Sequence, residues 1–126
     1  MLKFLSVEDV KAIHDLLIEK FGGMQGVRSE ELLDSAVARM RATFGGEDLY
    51  ETIFDKTAAL FESLCKNHPF FDGNKRSAFV SAVTFLEING YETQFDKEVA
   101  EQFVLKIATT KTPWEEIAKF FKKHAK

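Results

Sequence analysis

Residues 67–76 read Asn67-His68-Pro69-Phe70-Phe71-Asp72-Gly73-Asn74-Lys75-Arg76, a polar segment between two apolar helical patterns. Pro69 disfavours helical geometry at the residue before it, so the preceding helix must end near Asn67. A new helix then opens at Gly73-Asn74. The break therefore predicts a loop that joins two helices of the core and gathers several chemically active side chains.

Apolar residues recur at helical spacing on both sides of this loop. Capping residues, paired glycines and prolines divide the pattern into segments with short connections. The first predicted helix is Val7–Phe21 after the N-cap Ser6, and the second follows the N-cap Ser29. The third has an apolar stripe that starts at Leu49 and stops near Asn67, and the fourth runs from Asn74 to Asn89-Gly90. The fifth follows Asp96 with Val99 and Ile107 inward, and the sixth is opened by the N-cap Thr112, Pro113 and a capping-box Glu115. Tyr91 to Phe95 is short enough to be extended. The expected fold is all-α, a single compact bundle of about six helices over residues 1–126.

Composition and charge exclude several classes of protein. The chain has 126 residues and a mass of 14.3 kDa, with 17 Lys and Arg against 20 Asp and Glu, a net charge of −3. A chain that binds nucleic acid through phosphates usually carries a basic surplus, so the net charge argues against nucleic-acid binding as the main activity. The lysines from Lys119 to Lys126 are better explained as complements to a helix dipole. No apolar run approaches the roughly 20 residues of a membrane span. Glu8 and Asp9 interrupt the apolar start of the chain before it is long enough for a signal peptide. Both observations predict a cytoplasmic protein without membrane contact. The single Cys65 cannot form an internal disulfide.

The start of the helix at Gly73-Asn74 is suited to anions. Its unpaired backbone N–H groups and the positive end of its dipole face the same space, and such helix starts often bind phosphate. Lys75 and Arg76 add charge and hydrogen-bond donors, and the Arg fork fits two phosphate oxygens at once. Because cations at a helix N-terminus oppose the dipole, they are a poor structural choice, which favours a phosphate-handling site over a simple turn.

Two further residues of the loop indicate chemistry. Asp72 offers the hard oxygen that Mg²⁺ prefers, and Mg²⁺ often accompanies nucleotide phosphates. Histidine has an ordinary pKa of about 6.5, so His68 is the candidate that accepts a hydroxyl proton near neutral pH. Phe70 is interpreted as the core anchor of the loop, whereas Phe71 fits either a core or a ligand role.

The segment His-Pro-Phe-Phe-Asp-Gly-Asn-Lys-Arg resembles the signature of the Fic/Doc superfamily, whose usual form is His-x-Phe-x-Asp/Glu-Gly-Asn-Gly-Arg. Most of the chain is similar to the death-on-curing (Doc) branch of toxins, including Gly22-Gly23, residues 32–39, residues 56–60 and residues 85–91. Lys75 replaces the glycine of most Fic proteins and marks the Doc branch. Phe79 stands where a second arginine is common, and the inhibitory Ser/Thr-x-x-x-Glu-Gly/Asn helix of many Fic proteins is not evident.

The resemblance implies roles for the loop residues. His68 would be the general base, Phe70 would pack the loop, Asp72 would hold Mg²⁺, and Gly73, Asn74, Lys75 and Arg76 would bind the phosphates of ATP. Doc toxins are known for transferring the terminal phosphate of ATP to elongation factor Tu, which arrests translation. A separate antitoxin protein would then restrain this chain.

Other functions stay open at this stage. An AMP transferase could use the same scaffold, and a catalytically idle module could bind only a partner or a nucleotide. A metal nuclease at His68 and Asp72 needs further ligands, while His14 and His124 are more consistent with structural or exposed positions. The region from Arg39 to Tyr50, with Gly45-Gly46, is expected to align the target segment.

Overall fold

The computed structural model describes residues 1–126 and confirms the all-α class. Helix bounds are α1 Val7–Phe21, α2 Glu30–Ala38, α3 Ile53–Asn67, α4 Asn74–Ile88, α5 Lys97–Thr109 and α6 Trp114–Lys123. Helix α3 is central, since α2, α4, α5 and α6 all pack against it, and α1 packs on α4 and α2. No helix combines the length and the apolar character that a membrane crossing requires.

A cluster of phenylalanines closes the core between α3, α4, α5 and α6. Phe61 of α3 lies at its centre, with its ring centroid 5.6 Å from that of Phe121 and 5.5 Å from that of Phe103. Phe79 and Phe95 complete the cluster on the α4 side. Because α3 is buried over most of its length by these contacts, its C-terminal end is held firmly where the polar loop begins.

Most of the predicted helix starts are confirmed. Ser6 accepts a hydrogen bond from the Asp9 N–H in a reciprocal capping box, and Ser29 and Asp96 cap α2 and α5. The predicted capping box of the last helix is wrong, because Pro113 has extended geometry and is itself the N-cap. The Thr112 hydroxyl instead lies 2.9 Å from the Thr110 hydroxyl.

Two apolar residues that were expected inward lie on the surface. Leu49 precedes α3, whose N-cap is Thr52, so Leu49 does not share the helical stripe. Val99 lies on the outer side of α5, where Ile107 supplies the buried contact. The segment around Thr93 is extended as expected and forms a single antiparallel bridge with Ala125.

A small hairpin interrupts the helices between α2 and α3 and was not predicted. A 3₁₀ turn at Arg39–Arg41 leads to strands β1 (Thr43–Phe44) and β2 (Glu47–Asp48), which pair antiparallel. Burial would lower the pKa of Arg39, but hydrogen bonds to Glu62 and Tyr50 outweigh it and raise that pKa. The buried Lys56 ammonium donates to Asp48 Oδ2 and to the Tyr50 carbonyl. The base of the hairpin is thereby tied to α3.

Candidate active site

His68 ends α3 in a strained conformation. It has φ 50° and ψ 58°, the left-handed region, and no other non-glycine residue of the chain has a positive φ. Such a conformation costs about 1 to 3 kcal/mol and persists where surrounding contacts enforce it. The His68 side chain is exposed and has no hydrogen-bond partner within the chain. The imidazole of His68 therefore lies at the edge of the loop without a hydrogen-bond partner.

The segment between α1 and α2 enforces this loop geometry. Its backbone N–H groups at Arg28 and Ser29 both donate to the Pro69 carbonyl, at 2.7 and 3.0 Å, and Val27 pairs with Phe70 in an antiparallel bridge. The Arg28 guanidinium donates to the carbonyls of Asn67 and His68, at 2.9 and 2.7 Å. These bonds satisfy carbonyls at the end of α3 that would otherwise lack partners.

Asn74 locks the loop from the other side. Its buried carboxamide accepts from the Phe70 N–H at 2.9 Å and donates to the Phe70 carbonyl at 3.0 Å. The Phe70 ring is buried and stacks on His14, with centroids 3.8 Å apart and planes 5° apart. His14 is fully buried and its Nε2 lies 2.7 Å from the Asp72 carbonyl, so Nε2 carries the proton. The Asn74 side chain is therefore a structural clamp, and only its backbone N–H is left without a partner.

The first turn of α4 presents unpaired donors. The backbone N–H groups of Asn74, Lys75 and Arg76 have no acceptor in the chain, and no side chain caps this helix. Gly73 precedes them with φ 73°, and a Cβ there would lie 3.0 Å from Ile18 Cδ1. The left-handed glycine turns the chain into the helix while staying close to α1. A helix start with unpaired N–H groups of this kind is suited to binding an anion.

Two unpaired cations flank these donors. Lys75 and Arg76 are exposed and take no part in the ion pairs of the chain. The Arg76 guanidinium carbon lies 4.1 Å from the centroid of the Phe21 ring, at the end of α1. Since no carboxylate neutralises either side chain, both charges are free to meet a phosphate.

Asp72 is held next to the same helix start. Its Oδ1 accepts from the Gly73 N–H at 2.9 Å and its Oδ2 from the Met24 N–H at 3.1 Å. Each oxygen keeps a free lone pair, so the exposed carboxylate fits one position in a Mg²⁺ shell. No group of three His, Cys, Asp or Glu side chains could hold a metal. A Mg²⁺ ion at Asp72 would therefore take its other ligands from phosphates and water.

A groove of about 590 Å³ lies beside the cations, between α4 and α5. We call it the α4–α5 groove, and its lining residues are Lys75, Arg76, Phe79, Val80, Phe95, Lys97, Ala100, Glu101, Val104 and Leu105. The groove is mainly apolar with cations at one edge. A molecule that fills the groove would contact Lys75 and Arg76 of the first turn of α4.

Cys65 lies beneath the site and is unsuited to nucleophilic chemistry. Burial raises the pKa of its thiol, an effect that the nearby charges of Lys75 and Lys66 only partly oppose. The thiol is buried and free. Both observations indicate a structural role for Cys65.

The loop brings the predicted site residues together, though not all in the same way. His68, Lys75 and Arg76 present free side chains, Gly73 and Asn74 contribute backbone, and Asp72 is oriented by two backbone donors. Sequence reasoning missed the contributions from outside the loop: His14, Phe21, Met24 and Arg28. Gly22-Gly23 was the available signal, since a Cβ at Gly23 would lie 2.7 Å from Asp72 Oδ2.

Comparisons with known proteins agree with this architecture. A family model described as "Fic/DOC family" matches residues 4–86. The chain is 43% identical to Toxin Doc of Mycolicibacterium smegmatis over 120 residues, which cover 94% of this chain and 90% of that protein. It is 29% identical to Protein kinase doc of Escherichia phage P1 over 100 residues, 79% of each chain.

Proposed function

The chain belongs to the Fic/DOC family, and from that membership and the geometry of the loop we propose that it is a Doc-type toxin with protein kinase activity. Its substrates would be ATP and a Ser or Thr hydroxyl of a translation factor, elongation factor Tu in the first instance. The observation that carries the proposal is the set of three unpaired backbone N–H groups beside Lys75 and Arg76. One relative is named a toxin and another a protein kinase, which supports the same class.

The proposed reaction uses the free groups of the site. His68 takes the proton of the target hydroxyl, and the oxygen attacks the γ-phosphorus of ATP. The bond between that phosphorus and the β,γ-bridging oxygen breaks, and ADP leaves. The N–H groups of α4, Lys75 and Arg76 stabilise the charge on the transferred group, where phosphoryl transfer gains most of its acceleration. Mg²⁺ at Asp72 would neutralise part of the phosphate charge.

Lys75 is the proposed selector between phosphate and AMP transfer. Glycine at position 75 would leave the helix start open to the polyphosphate tail, with the α-phosphate next to the base. Lysine occupies that space and adds a charge, so ATP binds in the orientation that presents its γ-phosphate. The product follows from whichever phosphorus lies in line with the attacking oxygen.

Separately labelled ATP tests this assignment. Wild type, Lys75→Gly and the matched control Lys97→Gly, another groove lysine in the first turn of its helix, are incubated with elongation factor Tu, Mg²⁺ and ATP labelled on the α- or the γ-phosphate. We expect wild type and Lys97→Gly to transfer only the γ label and Lys75→Gly to lose that transfer. Transfer of the α label by wild type would favour an AMP transferase, and no transfer of either label would favour a binding module.

We further propose that an antitoxin restrains the toxin by occupying the α4–α5 groove. An amphipathic segment, disordered alone, would fold there as a helix with acidic residues facing Lys75, Arg76 and Lys97. Expression of this protein alone should arrest the growth of a bacterial host, and co-expression of the protein encoded immediately upstream should restore growth. Leu105→Glu should still arrest growth when the antitoxin is co-expressed, because the charge lies in the groove. Leu16→Glu, which changes an exposed leucine on α1, should still be neutralised by the antitoxin. Restraint of both variants would contradict the groove as the binding site.

A further inference from the structure

Phe21 is an exposed aromatic residue without an evident role in the core. Its side chain is 54% exposed at the last position of α1, although large apolar side chains gain by burial. The guanidinium carbon of Arg76 lies 4.1 Å from its ring centroid, and the Lys20 ammonium lies 5.3 Å from it. Both distances are within the range of cation–π attraction, about 6 Å. Phe21 therefore meets one of the proposed phosphate ligands.

The backbone beneath Phe21 is well fixed. Gly22 ends α1 with φ 87° and donates its N–H to the Ile18 carbonyl at 2.7 Å. Earlier in the helix, the His14 ring binds the Asp72 carbonyl and stacks on Phe70. The end of α1 is thus tied to the loop that leads into α4, the helix that carries Arg76, so the backbone at Phe21 is fixed relative to the start of α4.

An aromatic partner suits Arg76 better than a carboxylate would. The donors of a guanidinium lie in its plane, and a carboxylate would occupy them and cancel the charge. A ring attracts the cation through its π face and leaves the N–H donors available. The Arg76 side chain has no ion pair or hydrogen bond within the chain, and its cation–π partner in the structure is the Phe21 ring.

We propose that Phe21 is a positioning residue that holds Arg76 with its N–H donors directed at the nucleotide phosphates. This inference rests on the proposed function insofar as the ligand is ATP. An exposed cation–π contact is worth about 0.5 to 1 kcal/mol, which corresponds to about two- to fivefold in affinity. Loss of the ring face should weaken nucleotide binding by that factor while the fold survives.

The test measures the dissociation constant of Mg²⁺ and β,γ-imido-ATP by calorimetry on the full chain. Phe21→Leu removes the π system and keeps an apolar side chain, Phe21→Tyr restores it, and 3,4,5-trifluorophenylalanine at position 21 keeps the shape with a weakened π face. Leu16→Ala is the matched control, another exposed apolar residue of α1. We expect two- to fivefold weaker binding for the leucine and trifluoro variants, and wild-type binding for Phe21→Tyr and the control.

Two readouts separate positioning from a general structural effect. In an Arg76→Ala background, Phe21→Leu should have no further effect on affinity, because the residue acts through Arg76. In nuclear magnetic resonance spectra, the Arg76 side-chain protons should show an upfield ring-current shift that Phe21→Leu removes. Unchanged affinity in Phe21→Leu, an effect that persists without Arg76, or trifluorophenylalanine binding as well as phenylalanine would each overturn the proposal.

Failure of the proposed function is distinguishable from failure of this inference. If wild type binds the nucleotide with the expected dependence on Phe21 but transfers no phosphate, the kinase function falls and the positioning role stands. If phosphate is transferred and the affinity does not depend on Phe21, the positioning role falls alone. Absence of nucleotide binding in wild type would overturn both.

Discussion

The loop of residues 67–73 and the hairpin of residues 43–48 are both short connections next to α3, but they are held in opposite ways. The loop is bonded along its backbone to the segment before α2, and its Phe70 is buried. The hairpin is tied at its base by Arg39 and Lys56, while Phe44 at its tip is 82% exposed. The groups proposed for catalysis therefore lie on a loop with many backbone contacts, whereas the tip of the hairpin, expected to align the protein target, has few contacts with the rest of the chain.

Removing the proposed general base, His68, should have the largest effect of the changes considered, a loss of transfer rate. His68→Asn should lower the transfer rate about 10²- to 10⁴-fold through lost proton abstraction. The unfolding free energy should change little, since asparagine tolerates the left-handed region that His68 adopts. Single-turnover rates and urea denaturation measure the two quantities. Full activity of the purified variant would refute the role of His68.

Removing the clamp of the loop should have the next largest effect. Asn74→Ala leaves the N–H and the carbonyl of Phe70 without their partner, which should cost about 2 to 4 kcal/mol of unfolding free energy. Asn67→Ala is the control, because that half-buried side chain makes no hydrogen bond and should change stability by less than about 0.5 kcal/mol. Equal stabilities in urea denaturation would show that the loop does not depend on the clamp.

A glycine exchange compares the two regions directly. Gly73 and Gly45 have similar positive φ values, 73° and 61°, so alanine at either should cost about 1 to 2 kcal/mol in backbone strain. At Gly73 the new Cβ would also lie 3.0 Å from Ile18, whereas nothing lies within 4 Å of it at Gly45. Gly73→Ala should therefore be the more destabilising in thermal or urea unfolding. Equal losses would mean that the loop is as free as the hairpin.

Truncation at the hairpin tip should have the smallest effect on the fold. Phe44→Ala should change the unfolding free energy by less than about 0.5 kcal/mol, because the side chain is exposed. If the hairpin aligns the target, the KM for elongation factor Tu should rise about fivefold, as expected for a contact worth about 1 kcal/mol. The affinity for ATP should stay constant, and Leu16→Ala should change neither quantity. An unchanged KM would remove the hairpin from target recognition.

Local signals predicted most of the helices and the position of the loop. The bounds of α1 agree with the structure, and the end of α3 at Asn67 follows from Pro69 alone. The errors at Thr112 and Leu49 concern single turns at helix starts, where a shift of one or two residues changes the cap or the buried face. The segment before α2 was predicted only as a connection, because its bonds to Pro69 and Asp72 join residues about 40 to 50 positions apart and leave no periodicity.

The roles of the site residues were also predictable where they depend on local chemistry and not where they depend on the fold. Residues that carry charge or a proton, such as His68 and Lys75, are recognisable from their chemistry in the sequence. Asn74 is different, since its side chain points into the structure and only its N–H group stays free. The contacts of His14 and Phe21 depend on how α1 crosses the loop, which only the fold determines.

The unpaired first turn of α4 also has a thermodynamic consequence for the resting protein. The positive charges of Lys75 and Arg76 lie beside three unpaired N–H groups at the positive end of the α4 dipole. Their mutual repulsion lowers the free energy of unfolding of the ligand-free protein. A polyanion that binds only the native state adds about 2.7 kcal/mol at a hundred times its dissociation constant. The melting temperature of this protein should therefore rise with nucleotide concentration.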